Sequence, residues 1–212
     1  SMIMALHRGL FQANSSTQDG KWIPALKTAE IISLQDSSLG VIGCGRIGRN
    51  FIEKMRPFVK EVIGYDPGVT TPIEGVRMVT NLDDLLTNCK VISMHAPYMP
   101  STHHMISEKE LAKMQKGSIL VNVSRGGLID EDALVKALES GHLDGAGLDV
   151  FEKEPLAEDS VLRHTKNLIV TPHIAWYSQS AGPRLIQWGF EDAFSLITSG
   201  KINNGNFAVG PF

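Results

Sequence analysis

One short stretch constrains this chain more than any other. Gly43-Cys44-Gly45-Arg46-Ile47-Gly48 follows the apolar run Leu39-Gly40-Val41-Ile42 and precedes a helical pattern through Phe51, Ile52, Met55 and Phe58. The apolar run reads as a buried strand, and the three- and four-residue spacing after the glycines reads as a helix. Each glycine then has its own physical task. Gly43 permits a tight turn, Gly45 removes a side chain so that backbone can approach a diphosphate, and Gly48 lets helix and strand pack closely. The first amides of the helix, at Arg46 and Ile47, face that diphosphate with the positive end of the helix dipole. Asp66 closes the next strand 18 residues beyond Gly48. A carboxylate there accepts hydrogen bonds from adenosine ribose hydroxyls and repels a 2′-phosphate. No Arg or Lys occurs in Pro67-Gly68-Val69-Thr70-Thr71. The expected cofactor is therefore NAD rather than NADP.

The rest of the chain repeats the alternation. Strands are expected at Glu61–Asp66, Val76–Val79, Val91–Met94, Ser118–Asn122, Gly145–Val150 and Asn167–Val170, with helices at Leu82–Leu86, Ser107–Met114, Asp130–Ser140 and Ser178–Ser199. Such alternation implies right-handed crossovers and a mostly parallel sheet covered on both faces. The fold class is α/β, a doubly wound Rossmann sheet of about seven strands. The opening, Ala5 to Asp19, is a weak helical pattern that would not fold alone. We expect three segments: a connecting helix and lead-in over 1–30, the NAD-binding domain over 31–177, and a terminal helix over 178–212.

Composition excludes several functions. The chain of 212 residues has 20 Lys and Arg against 23 Asp and Glu, a net charge of −3, so nucleic acid is not an expected partner. No run approaches the roughly 18 apolar residues of a membrane span, and no signal-peptide pattern opens the chain. Cys44 and Cys89 cannot form a disulfide framework and suit a reducing compartment. The expected location is cytoplasmic.

Ligands of open α/β sheets bind beyond the carboxyl ends of the strands. Three such ends carry reactive side chains. Ser118-Ile119-Leu120-Val121-Asn122-Val123-Ser124-Arg125-Gly126-Gly127 ends in a cation and two glycines, Leu148-Asp149-Val150-Phe151-Glu152-Lys153-Glu154-Pro155 in acids before a proline, and Thr171-Pro172-His173-Ile174-Ala175 in a histidine. With the glycine loop and His95-Ala96-Pro97 followed by Thr102, these motifs stand in order along nearly the whole chain. On them the chain resembles the D-isomer-specific 2-hydroxyacid dehydrogenases, a family that includes lactate, glycerate, formate and phosphoglycerate dehydrogenases and the C-terminal-binding-protein corepressors.

The resemblance implies roles by motif position. His173 would be the acid/base, Glu154 its partner, and Arg125 the clamp for substrate carboxylate and carbonyl. Asp149 would hold the nicotinamide carboxamide, Asp66 and the glycine loop the adenosine diphosphate half. His95, Ala96, Pro97, Thr102, Val123 and Ala175, with His173 itself, would line the cofactor groove, and Trp176 would offer a wall to the substrate side chain. Lys90 departs from the family's usual acid before the strand and lies outside the site.

The residue types suit the chemistry. Reducing a 2-keto acid builds negative charge on oxygen, which an imidazolium can protonate. A carboxylate favours the charged imidazole and fixes its tautomer. Arginine's planar fork matches a carboxylate and stabilises the developing oxyanion. Cys44 reads as filler in the loop. His103-His104 lacks helical metal-ligand spacing and has no Cys/His cluster with it, so no metal is expected.

The resemblance also implies a substrate domain that this chain does not contain, to which the flanking helices would belong. The fragment is expected to bind NAD yet turn over 2-keto acids poorly, since closure and positioning of substrate come from the absent wall. A homodimer through the cofactor domain is implied as well. The alternative is an NAD(H)-responsive, corepressor-like interaction module. Which 2-hydroxy acid is used cannot be read from these motifs.

Overall fold

The computed structural model describes residues 1–22 and 33–202. The expected lead-in containing Ile31 and Ile32, the segment boundary at 30/31 and the last ten residues lie outside them. The chain divides into two compact units, Ser1–His173 and a second from Ile174 onward.

The first unit holds seven strands: β1 Ser38–Ile42, β2 Glu61–Tyr65, β3 Val76–Val79, β4 Val91–Met94, β5 Ser118–Asn122, β6 Leu143–Leu148 and β7 Leu168–Val170. They form one sheet in the order β3-β2-β1-β4-β5-β6-β7, and every pairing is parallel. The order reverses direction between β1 and β4, the switch point at which such sheets open a crevice.

The register decides where the site can be. Ile42 stands opposite Tyr65 and Met94, Met94 opposite Asn122, Asn122 opposite Leu148, and Leu148 opposite Val170. These residues form one row across the sheet. The residues that follow them, Gly43, Asp66, His95, Val123, Asp149 and Thr171, therefore leave the sheet along a single edge.

The strands are largely apolar because both faces of the sheet are covered, and β4 and β5 are buried at every position. Successive side chains alternate between faces. Ile42, Ile63, Ile92 and Leu120 pack with Leu85 and Leu86 of α4 (Leu82–Asn88), Leu111 of α5 (Glu108–Lys113) and Leu134 and Leu138 of α6 (Glu131–Glu139). On the other face Val41, Val62, Val91 and Ile119 pack with Ile52 of α3 (Arg46–Met55) and with Ile3. Side chains set the helix starts. Asn81 accepts from the Asp83 amide and Asp130 from the Ala133 amide, each at 3.0 Å.

Several boundaries shift by one to three residues from expectation, and two differences change the reading. The opening is two helices, α1 Met2–His7 and α2 Leu10–Gln18, because Gly9 adopts the left-handed conformation at φ 55°. Ile3 of α1 is buried, and Met2 and Leu6 lie over Gly147 and Gly145 of β6. Strand β6 starts earlier than expected and stops at Leu148, so Asp149 and Val150 belong to the loop that follows.

In the second unit, α7 spans Ala181–Ser199 and exposes Leu185, Ile186, Phe190, Phe194 and Ile197. No described helix is long and apolar enough to cross a membrane.

Candidate active site

The glycine loop leaves β1 at the switch point. Gly43 turns at φ 92° and donates its amide to the Tyr65 carbonyl at 2.9 Å. A β-carbon there would lie 2.4 Å from the Ala96 nitrogen, and one on Gly48 would lie 2.1 Å from the Gly43 carbonyl oxygen. Backbone contacts this close admit only glycine. Gly45 is different. Its φ of −71° suits any residue, and a β-carbon would meet nothing within 4 Å. The protein itself gives no reason for glycine at that point, immediately before the amides of Arg46 and Ile47. A diphosphate approaching the α3 terminus supplies one, so the loop fits a dinucleotide.

Asp66 anchors the same loop. One carboxylate oxygen accepts from the Cys44 amide and the other from the Gly68 amide, both at 2.8 Å. The Cys44 thiol is pushed up to about 11 by burial and then by the Asp66 charge, so it stays a packing thiol.

From β4, His95 lies against Phe51 with ring centroids 4.7 Å apart, and its Nε2 lies 3.0 Å from the Ser93 hydroxyl. Burial pushes its pKa down to about 4, which leaves the imidazole neutral. Ala96 is buried and Pro97 exposed. Thr102 ties its own loop by accepting from the Met99 amide at 2.8 Å and donating to the Pro97 carbonyl at 2.9 Å.

Two side chains that sequence reasoning missed shape the β5 loop, in which Val123 is half-buried. Asn122 accepts from the Ser124 amide at 3.0 Å and donates to the Arg125 carbonyl at 2.8 Å. The Ser124 hydroxyl donates to the Ala96 carbonyl at 2.6 Å, joining the β4 and β5 loops. The signal available was an asparagine closing the apolar run Ile119-Leu120-Val121; the sheet buries it completely, and a buried amide must find partners. Arg125 projects from this loop into solvent, with one guanidinium nitrogen on the Ser124 carbonyl at 2.7 Å. Gly126 lies so close to the next loop that a β-carbon would fall 1.8 Å from the Phe151 carbonyl carbon.

The β6 loop supplies the acids. Asp149 is buried and accepts from the Thr171 hydroxyl, another partner that the sequence did not show. Glu154 is held at both oxygens, by the Phe151 amide at 3.0 Å and by His173 Nδ1 at 2.8 Å. Its partial burial would raise the carboxyl. The His173 and Phe151 hydrogen bonds, with the His173 charge, outweigh that and hold it below the usual carboxylate range. His173 takes a left-handed φ of 55°, a conformation uncommon for a residue with a side chain.

The fold thus pairs His173 with Glu154 directly. Arg125 instead lines a cleft of about 450 Å³ with Tyr98, His103, His104, Phe151 and Glu152. Among the described residues no hydrogen bond joins it to Glu154 or His173. Ala175 and Trp176 fall in the second unit, where Trp176 is exposed and sits edge-on to Tyr177 with centroids 5.4 Å apart. The spacing argument against His103-His104 considers only partners near in sequence, and the fold brings Glu152 beside them.

Comparison with known proteins places this geometry. Residues 1–175 match the family model described as the D-isomer specific 2-hydroxyacid dehydrogenase NAD binding domain. The D-3-phosphoglycerate dehydrogenase of Methanocaldococcus jannaschii is 39% identical over 175 residues, covering 81% of this chain and 33% of that protein. The glyoxylate reductase of Korarchaeum cryptofilum is 35% identical over 201 residues, covering 92% and 60%. Among solved structures, the D-lactate dehydrogenase of Aquifex aeolicus, complexed with NAD and lactic acid, superposes with a TM-score of 0.83 at 32% identity, covering 100% of this chain and 68% of that one. The chain spans about a third of the length of the phosphoglycerate dehydrogenases it matches. Seven parallel strands, a glycine loop cut for a diphosphate and a matching family model lead to one conclusion: the chain belongs to the D-isomer-specific 2-hydroxyacid dehydrogenases, as their NAD-binding domain.

Proposed function

We propose that this chain is the cofactor-binding half of an NAD-dependent dehydrogenase that interconverts D-2-hydroxy acids and 2-keto acids. The observation that carries the reading is the His173–Glu154 pair, 2.8 Å apart, with the second Glu154 oxygen fixed by the Phe151 amide. A histidine whose Nδ1 is held by a carboxylate has its tautomer set, and Nε2 is left to exchange a proton with a substrate oxygen. When bound, the nicotinamide supplies or takes the hydride at the substrate carbon. Arg125 grips the substrate carboxylate and steadies charge on the reacting oxygen. Asp149 holds the carboxamide, Asp66 the ribose, and the α3 amides the diphosphate. His95, Ala96, Pro97, Thr102 and Val123 line the groove.

The matched relatives are dehydrogenases and reductases, and the corepressor-like alternative finds no support among them. The natural partners are a small 2-hydroxy or 2-keto acid and a second copy of the chain, in the cytoplasm. Alone, the chain binds NAD(H) but turns substrate over poorly, because neither closure nor carboxylate positioning is complete.

The test uses a protein that joins this chain to a substrate-binding half, assayed by NADH oxidation against a panel of 2-keto acids. A positioned acid contributes roughly 10²–10⁴-fold. His173→Ala is expected to lose that much turnover while NADH binding, read by fluorescence, changes little. Turnover at the parent rate in this variant would refute the assignment.

A further inference from the structure

Outside the His173–Glu154 pair, a cluster of three possible metal-ligating side chains among the described residues lies in the Arg125 cleft. His103 and His104 stack with ring centroids 3.9 Å apart, and one ligand atom from each of His103, His104 and Glu152 lies within 4.8 Å of the others. We propose that these three side chains bind a borderline divalent transition-metal ion, with zinc as its representative. Two imidazoles and one carboxylate are a donor set for zinc, nickel or copper rather than for magnesium.

The surroundings behave as an outer shell. His103 Nδ1 lies 3.3 Å from the Tyr98 hydroxyl, which leaves its Nε2 to coordinate. The His104 amide donates to the Gly127 carbonyl at 2.8 Å, and the Glu152 amide to Glu131 at 2.8 Å, so both ligand-bearing loops are fixed at the backbone. Gly126 against Phe151 locks the two loops together. His104 Nε2 already meets Glu152, a contact in which a metal would replace the bridging proton.

Tetrahedral zinc with nitrogen and oxygen bonds of about 2.0–2.2 Å puts its ligands about 3.3–3.6 Å apart. His104 and Glu152 already meet, so the ion has to part them, while His103, whose ligand atom lies within 4.8 Å of both, moves in; His103 and Glu152 are exposed enough to adjust. Three protein ligands leave a fourth position open to water or to an anionic oxygen in the cleft. This site does not depend on the dehydrogenase reading.

Calorimetric titration of the chain with zinc chloride tests the proposal, with magnesium chloride as the hard-ion control. The expected result is one saturable zinc site, no magnesium heat, and an affinity at least about tenfold weaker in His103→Ala and in Glu152→Gln, since even an outer-shell partner costs that much when lost. Both side chains are exposed, so both variants should keep the parent circular dichroism spectrum. In NMR, zinc should shift the His103 and His104 ring resonances together and leave His173 in place. No saturable zinc binding, binding unchanged in both variants, or a shift confined to His173 would each overturn it.

Discussion

His95 makes the fold's stability depend on pH in a way that can be worked out beforehand. Its ring is packed beneath the glycine loop against Phe51, and burial pushes its pKa down to about 4 from an ordinary value of 6.5. In the unfolded chain the same imidazole is solvated and takes up its proton near pH 6.5. Between those values the unfolded state holds more protons than the folded one, so stability falls as the solution is acidified. His95's contribution is fully present above about pH 6.5 and is lost as pH drops toward 4. The gap of about 2.5 units, at 1.36 kcal/mol per unit, comes to about 3 kcal/mol. That is a substantial part of the 5–15 kcal/mol typical of a folded domain.

The measurement is urea unfolding at a series of pH values from 7 to 4, for the parent chain and for His95→Gln. Glutamine keeps a hydrogen-bonding partner for Ser93 but does not titrate. The carboxylates lose stability in acid as well, Glu154 and Glu110 among them, but they do so in both proteins and cancel in the difference. The stability difference between parent and variant should therefore change by about 3 kcal/mol over this range, against the parent at low pH. Parallel profiles would refute the reasoning. A parent that gained on the variant as pH fell would refute it more strongly, because His95 would then be better protonated in the fold than out of it.

Four further outcomes follow from the loops. Gly126→Ala puts a methyl 1.8 Å from the Phe151 carbonyl carbon, and with immovable backbone on both sides it should lower the urea-derived stability by about 3 kcal/mol or more. Gly45→Ala meets no protein atom within 4 Å, so its unfolding midpoint should match the parent while NADH fluorescence titration shows weakened binding. Asp66→Ala removes the acceptor for the Cys44 amide and, with it, the acceptor proposed for the ribose. With a charge-assisted bond worth about 1.5–3 kcal/mol, NADH affinity should fall roughly 10- to 100-fold. Glu154 is held below the usual carboxylate range, so what its pairing contributes is present above its unfolded value near pH 4.5 and is lost as pH falls through its lower folded value. Comparing unfolding midpoints at pH 5 and pH 3 should show the parent losing more than Glu154→Gln.

The sheet was legible because buried parallel strands are short apolar runs, and because glycines and acids punctuate their ends. Strands β1 and β4, and the helices with Asn81 and Asp130 at their starts, can be found from such local signals. The break at Gly9 could not, because a lone glycine in a weak helical pattern is as compatible with a tolerated glycine as with a stop. The β6 boundary was misplaced because Gly145-Ala146-Gly147-Leu148-Asp149-Val150 carries no strand-ending signal until after Val150, whereas the pairing with β5 and β7 stops at Leu148. Within the site, the residue types were readable at their strand ends. The partnerships across loops were not. Ser124 on Ala96, Thr171 on Asp149 and Glu152 on His104 join positions 22 to 48 residues apart, and no periodicity records such a contact.

The segment Phe151-Glu152-Lys153-Glu154 shows what that limit means for function. As sequence, its two glutamates are near neighbours of one type. In the fold they turn to different histidines, Glu154 to His173 and Glu152 to His104. The Phe151 backbone links the two arrangements: its amide holds Glu154, and its carbonyl stands against Gly126 beside Arg125. A disturbance of this backbone therefore reaches the His173–Glu154 pair and the Arg125 cleft together. Gly126→Ala should disorder the surroundings of His104 as well as those of His173, so in NMR spectra both ring signals should move, although the substitution adds a single methyl to a third loop. Movement of one ring alone would mean that the two sites are built independently and that the Phe151 backbone does not couple them.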